Sequence, residues 1–278
     1  MKSLDKMKYK STVAVFGSIL LFLSCATNPF TGKKTMALVP NSQLFPTAFQ
    51  QYNQFLTENS VVKGTKDAQM ITRVGQRIAV AAERWLDANG HQGYLKDYKW
   101  EYNLVNDKTV NAWCMPGGKI VFYTGILPIA AGETGVAAIM GHEVAHALAN
   151  HGQQRMSAAY IQQGVALAGN IAIKDDKSRN AFNQYYGIGS TVGFALPFSR
   201  KHETEADKIG LYLMAVAGYN PDEAAELWKR MKANSGGKAP PEFLSTHPSN
   251  DTRIANLTKL APTAKAEAKK FGVTSFRE

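Results

Sequence analysis

Cysteine is scarce in this chain: Cys25 and Cys114 are the only two among 278 residues. That excludes a disulfide framework, and Cys114 reads as a small, buried apolar side chain. Charge is also thin, with Asp, Glu, Lys and Arg making up 19% of the residues. Disordered polyampholyte, collagen and coiled-coil classes are excluded with it, and no internal repeat is visible. Acids are outnumbered 22 to 32, which leaves a formal charge of +10. The surplus is spread along presumed helices and interleaved with Glu203, Asp207 and Glu226. No recognition helix, zinc finger or aromatic RNA-binding pattern accompanies it, so no nucleic-acid partner is expected. A basic surface fits an anionic membrane face better.

Long apolar runs are missing too, save one at residues 13–23, behind Lys2, Lys6, Lys8 and Lys10. It is short for a membrane span and suits the core of a signal peptide. The run ends at Leu23-Ser24-Cys25-Ala26, which resembles a bacterial lipoprotein signal. The expectation is a lipoprotein signal peptide at 1–24, acylation of Cys25, and a polar, irregular tether at 25–41. The body of the protein is then expected in the bacterial cell envelope, on the periplasmic side and lipid-anchored. Ala26, where an acidic residue would favour retention at the inner membrane, favours the outer one by family analogy.

What is present is a folded domain at 42–278. Apolar residues recur at helical spacing across 42–88, at Ile71, Val74, Ile78 and Leu86, punctuated by Gly64. Residues 99–105 and 110–123 read as extended, the second stretch broken by Pro116-Gly117-Gly118. A helix starting near Gly132 is apolar nearly all round and should be buried. Yet it carries Gly141-His142-Glu143-Val144-Ala145-His146. Buried polar groups without partners are costly. Residues i and i+4 of a helix lie about 40° apart around its axis, so His142 and His146 point the same way and can share one Zn²⁺. Glu143, beside the first ligand, reaches the water at such a metal and serves as general base. The competing reading, two satisfied histidines and a capping glutamate, does not explain why they interrupt an apolar helix.

A catalytic zinc keeps three protein ligands and one open position. His151 projects about 140° away from His146 on a continuous helix and is rejected; it reads as a helix-end residue favourable to the dipole. A metzincin would need histidine at 152, where Gly152 stands. A second helix, capped near Ser199 and ended by Gly218, offers Glu203 and Asp207 on one face, with Glu205 as the rival carboxylate. Asp207 suits an orienting role behind a metal-bound imidazole. Residues 157–173 read as a packed core helix, and 175–186 as a surface loop or short helix where substrate choice could reside.

Gly-His-Glu-Val-Ala-His, then Ser199-Arg-Lys-His-Glu-Thr-Glu-Ala-Asp207, then Ser245-Thr-His-Pro-Ser249 resemble the membrane-associated zinc peptidases that include the CAAX prenyl endopeptidase, HtpX, the mitochondrial Oma-type proteases and bacterial LoiP and BepA. Asn111-Ala-Trp113, Pro116-Gly-Gly118 and Gly218-Tyr-Asn-Pro221 fit the same pattern. The resemblance implies an α+β, mostly helical fold with a zincin-type (gluzincin) core and a small β-sheet. It implies His142, His146 and Glu203 as ligands of one Zn²⁺ per chain, Glu143 as base, and Asp207 in a supporting role. The sheet edge at Asn111, Ala112 and Trp113 would pair with extended substrate. His247 would stabilise the oxyanion or cap the zinc, and Arg253 would form an ion pair near the site. The implied function is a zinc endopeptidase acting on polypeptides such as misfolded envelope proteins. The alternative is a chaperone-like or binding lipoprotein with a latent zinc site.

Overall fold

A computed structural model describes residues 25–190, 196–235, 243, 244, 247 and 251–278. The expected signal segment 1–24 lies outside the described residues, as does all of 245–249 except His247. The chain is mostly helical with two small sheets. The elements run β1 (Cys25–Thr27), β2 (Lys34–Met36), α1 (Asn41–Glu58), β3 (Val61–Val62), α2 (Lys66–Ala88), β4 (Glu101–Val105), β5 (Ala112–Met115) and β6 (Lys119–Tyr123). They continue with α3 (Leu127–Ala130), α4 (Glu133–Leu148), α5 (His151–Ala172), α6 (Asp176–Ser190), α7 (Leu196–Val216), α8 (Glu223–Ser235) and α9 (Asp251–Lys269).

The larger sheet has the order β3-β4-β6-β5, with β4 and β6 parallel and the other pairs antiparallel. β5 is therefore an edge strand. Gly117 and Gly118 turn the β5–β6 hairpin at φ 83° and 88°, where a Cβ would also collide with Phe49 or Trp100. Side chains alternate across β5: Ala112 and Cys114 join the main core, and Trp113 packs edge-on against Tyr52 and Phe55 on the opposite face. Burial pushes the Cys114 thiol up.

α4 is the centre of the core and is buried along nearly its whole length, as its all-round apolar character demands. It lies against α2, α7, α8 and β5. The helical reading of 42–88 divides into α1 and α2, because β3 pairs with β4 between them. Thr65 then caps α2, its hydroxyl accepting from the Ala68 N–H at 3.2 Å.

Two expectations change. The polar stretch 25–41 is not irregular throughout: β1 and β2 pair, and Phe30 stacks on Trp85 with ring centroids 4.5 Å apart. α5, expected as a core helix, buries only its first two turns, through His151, Gln153, Gln154, Ser157 and Ala158. Beyond them Tyr160, Val165, Leu167 and Ile171 are exposed, because α6 is the main element that accompanies this part of the helix. No single helix among the described residues is long and apolar enough to cross a membrane.

Candidate metal centre

Both ends of α4 are held. At its N-terminus Glu133, well placed for the helix dipole, receives Arg73 at 2.6 Å, Arg77 at 3.1 Å and the Tyr219 hydroxyl at 2.8 Å. At its C-terminus the hydroxyls of Tyr94 and Tyr98 donate to the carbonyls of Leu148 at 2.8 Å and Ala147 at 3.2 Å, satisfying acceptors the helix itself leaves unpaired. Its crossing with α7 is built on two glycines. A Cβ on Gly141 would stand 2.8 Å from the Gly210 carbonyl oxygen, and one on Gly210 would stand 2.8 Å from the His142 nitrogen. This close approach lets side chains of α4 and α7 converge.

They converge on a buried cluster of His142, His146, Glu203 and His247, each offering one donor atom within 4.8 Å of the others. His142 Nε2 lies 3.1 Å from His146 Nε2 and 3.4 Å from Glu203 Oε2. His146 Nε2 lies 3.3 Å from Glu203 Oε1. His247 Nδ1 completes the set, 3.1 Å from His142 Nε2 and 2.8 Å from Glu203 Oε2. Two nitrogens at zinc-ligand distance from a tetrahedral ion stand about 3.3 Å apart, so these spacings suit a zinc.

The outer hydrogen bonds fix which nitrogens face inward. His142 Nδ1 is 3.0 Å from Asp207 Oδ1, and an ionised carboxylate only accepts; Nδ1 therefore carries the proton and Nε2 presents a lone pair. Behind His146, His151 Nδ1 lies at 2.9 Å from its Nδ1, and His151 Nε2 lies at 2.8 Å from Glu205 Oε2. The Glu205 carboxylate accepts from Nε2, which leaves His151 Nδ1 as the acceptor for the His146 Nδ1–H. Nε2 of His146 then also presents a lone pair. Two imidazole lone pairs facing a carboxylate need a cation between them. Buried Oε1 atoms of Glu203 and Glu143 also lack a hydrogen-bond partner among the described residues. The donor set fits a metal ion.

Electrostatics agree. Burial disfavours charge on His142, but hydrogen bonds to Asp207 and Glu203 outweigh it and raise its pKa to about 9. Without metal, a proton on that ring supplies the missing cation. Burial pushes His146 well below its ordinary value. Burial also pushes Glu203 up, but its three imidazole neighbours, His142, His146 and His247, prevail and hold it well below the carboxylate range. Glu143, with His247 Nε2 3.5 Å from its Oε1, is raised by burial, which makes it a better proton acceptor.

The structure brings together every sequence-derived residue from α4 and α7. Glu203, not Glu205, faces the cluster. His151 is outside it, as expected of a rejected ligand, but its reading as a helix-end residue is corrected. Asn150 adopts a left-handed conformation at φ 55°, which ends α4 and starts α5 at His151; the ring is fully buried behind His146. Arg253 proves more central than sequence spacing suggests. From α9 it donates to both Asp207 oxygens, at 2.8 Å and 2.6 Å, and its guanidinium lies 3.5 Å from the centroid of the Trp228 ring. No local signal announces these partners, since each pair is joined only by the fold.

With this geometry, similarity to known proteins decides the family. The model of peptidase family M48 matches residues 66–261. The chain belongs to peptidase family M48. The donor set described above is of the kind that a zinc metallopeptidase uses. It is 39% identical over 177 residues to the mitochondrial metalloendopeptidase OMA1 of Schizosaccharomyces pombe, covering 62% of this chain and 50% of that protein. The corresponding protein of Saccharomyces cerevisiae is 37% identical over 201 residues, covering 70% of this chain and 56% of its own. The beta-barrel assembly-enhancing protease of Yersinia pestis is 26% identical over 185 residues, covering 60% and 37%. The chain spans about half the length of the Oma1 proteins of the two yeasts.

These relatives overturn the expected location. Mitochondrial proteins match at higher identity than the bacterial protease, so a lipid-anchored, periplasmic place at the bacterial outer membrane is not supported. The physical reason is that the peptidase motifs encode a metal site and carry no address. A basic start followed by apolar residues is also not unique to one export route. Cys25, expected to be acylated, is exposed in β1.

Proposed function

We propose that His142, His146 and Glu203 hold one Zn²⁺, that Glu143 is the general base, and that the chain cleaves internal peptide bonds of extended polypeptide segments. The observation that carries this reading is the inward convergence of two tautomer-fixed imidazoles and one carboxylate beside a buried glutamate. Bound zinc would polarise the scissile carbonyl and make a water acidic enough to attack it. Glu143 takes the proton of that water and passes it to the leaving amine. Asp207 and His151 hold the two imidazoles in the required tautomers. The β5 edge at Asn111, Ala112 and Trp113 pairs with the substrate backbone, placing the chain alongside α4, which packs on β5.

The biological role we propose is quality control of misassembled proteins, including envelope proteins. It is supported by likeness to a protease named for enhancing beta-barrel assembly. A second reading is favoured by the position of His247. Its Nδ1 occupies the fourth corner of the donor set, 2.8 Å from Glu203 Oε2, so it caps the zinc and holds the enzyme latent. Casein cleavage by His247→Ala separates the two: an increase supports a latent, capped site, and a loss assigns His247 to oxyanion stabilisation.

A further inference from the structure

The outward side of α7 carries a feature the peptidase chemistry does not use. A cleft of about 660 Å³ lies between the β1–β2 turn and α7. Lys33 closes the turn and Lys34 opens β2; Arg200, Lys201 and Lys208 come from α7. Five cations thus line one concavity. Positions 200, 201 and 208 fall on one side of a helix, and Lys33 and Lys34 line the same cleft. Thr31, Thr35 and Thr204 line the same wall, their hydroxyls donating to the Glu205 carboxylate, the Ala26 carbonyl and the Arg200 carbonyl.

Neutralisation from within is weak. Among the described residues, the only carboxylate lining the cleft is Glu205; its Oε2 is committed to His151 at 2.8 Å, and it offsets the charge of Lys33 alone among the five. None of the five cations forms a salt bridge with another described residue. Like charges held around a concavity repel one another and focus a positive potential into it, and an anion with several acceptor oxygens relieves that repulsion.

We propose that this cleft binds a phosphate-bearing anion, either a soluble phosphate compound or the headgroup of an anionic lipid. Lysine and arginine contribute charge-assisted hydrogen bonds to its oxygens. The proposal is independent of the zinc reading, because no cleft residue is a proposed zinc ligand or base.

The test uses the full chain. Pyrophosphate binding is measured by calorimetry for wild type, for Lys33→Gln/Lys34→Gln/Lys208→Gln, and for Lys63→Gln/Lys66→Gln/Lys259→Gln, a control that removes as many exposed lysines from elsewhere. Sedimentation with vesicles of phosphatidylcholine alone, and of equal parts phosphatidylcholine and phosphatidylglycerol, is measured in parallel. Saturable binding weakened at least about tenfold in the cleft variant, but less than about twofold in the control, supports the site. Loss confined to pyrophosphate assigns a soluble ligand, and loss confined to the anionic vesicles assigns a headgroup. Absence of saturable binding to either, or equal weakening in both variants, overturns the proposal. Wild-type protein gives a check free of folding effects: the bound anion should protect Lys33 and Lys208 from acetylation and leave Lys63 and Lys66 reactive, and uniform reactivity contradicts the site.

Discussion

Replacing Asp207 by asparagine changes few atoms and should disturb the site strongly. Asp207 accepts from His142 Nδ1 at 3.0 Å and from Arg253 at 2.8 Å and 2.6 Å. An amide has one acceptor oxygen and one donor nitrogen, so either orientation of the new side chain sets an N–H against Arg253 or against His142. Arg253 is 7% exposed, and among the described residues its nearest alternative carboxylate, Glu203, is 3.4 Å away. Breaking a buried pair from one side costs about 3–5 kcal/mol; the Trp228 ring and Glu203 offset part of that, which leaves about 2–3 kcal/mol of lost stability in the metal-free chain. Loss of the group that orients His142 should also weaken zinc binding by about 10–100-fold. Denaturant unfolding of metal-free protein and zinc titration against a competing chelator measure the two effects separately. Adding Arg253→Met removes the charge that Asp207 balanced, so the double variant should recover much of the stability but not the zinc affinity. Asp207→Asn with zinc affinity within about twofold of wild type and stability within about 0.5 kcal/mol would refute the reasoning.

Other consequences are equally direct. His151→Phe keeps the ring volume but removes the acceptor for His146 Nδ1–H; zinc affinity should fall about tenfold or more, while Glu205→Gln, which can still accept from His151, should lose less. Equal losses in the two would contradict the assigned tautomers. The pH dependence follows from His142. Its folded pKa of about 9 lies above its ordinary 6.5, so its contribution to the stability of metal-free protein is fully present below about 6.5 and lost as pH rises through about 9. Zinc must displace that proton, so its affinity should rise up to about tenfold per pH unit across this window; a flat profile would contradict the proton's place at Nε2.

The sequence made α4 and its chemistry legible because an all-round apolar helix has no other use for two histidines one turn apart and a glutamate between them. Glu203 and Asp207 were legible as an i, i+4 pair, although choosing Glu203 over Glu205 needed the family resemblance; in the fold the choice follows from which face of α7 turns toward the Gly141–Gly210 crossing. The His151–Glu205 support was not legible. Counting helical angles assumed that α4 runs on through His151, and a single left-handed residue, Asn150, breaks that assumption. Arg253 is 46 residues from Asp207, so only tertiary packing pairs them. The apolar stretch in α5 misled for a related reason: hydrophobicity predicts a preference for burial, but beyond Ala158 the described fold provides little to bury it against. The location failed because a basic start, a short apolar run and a following cysteine are not unique to one export route.

The account rests on Glu143 acting beside a zinc held by His142, His146 and Glu203. Zinc content and casein cleavage should be measured together on wild type and Glu143→Ala. The expected result is about one zinc per chain in both proteins, with cleavage in the variant reduced at least about 10²-fold. A Glu143→Ala variant that retains zinc and cleaves casein as fast as wild type would contradict it.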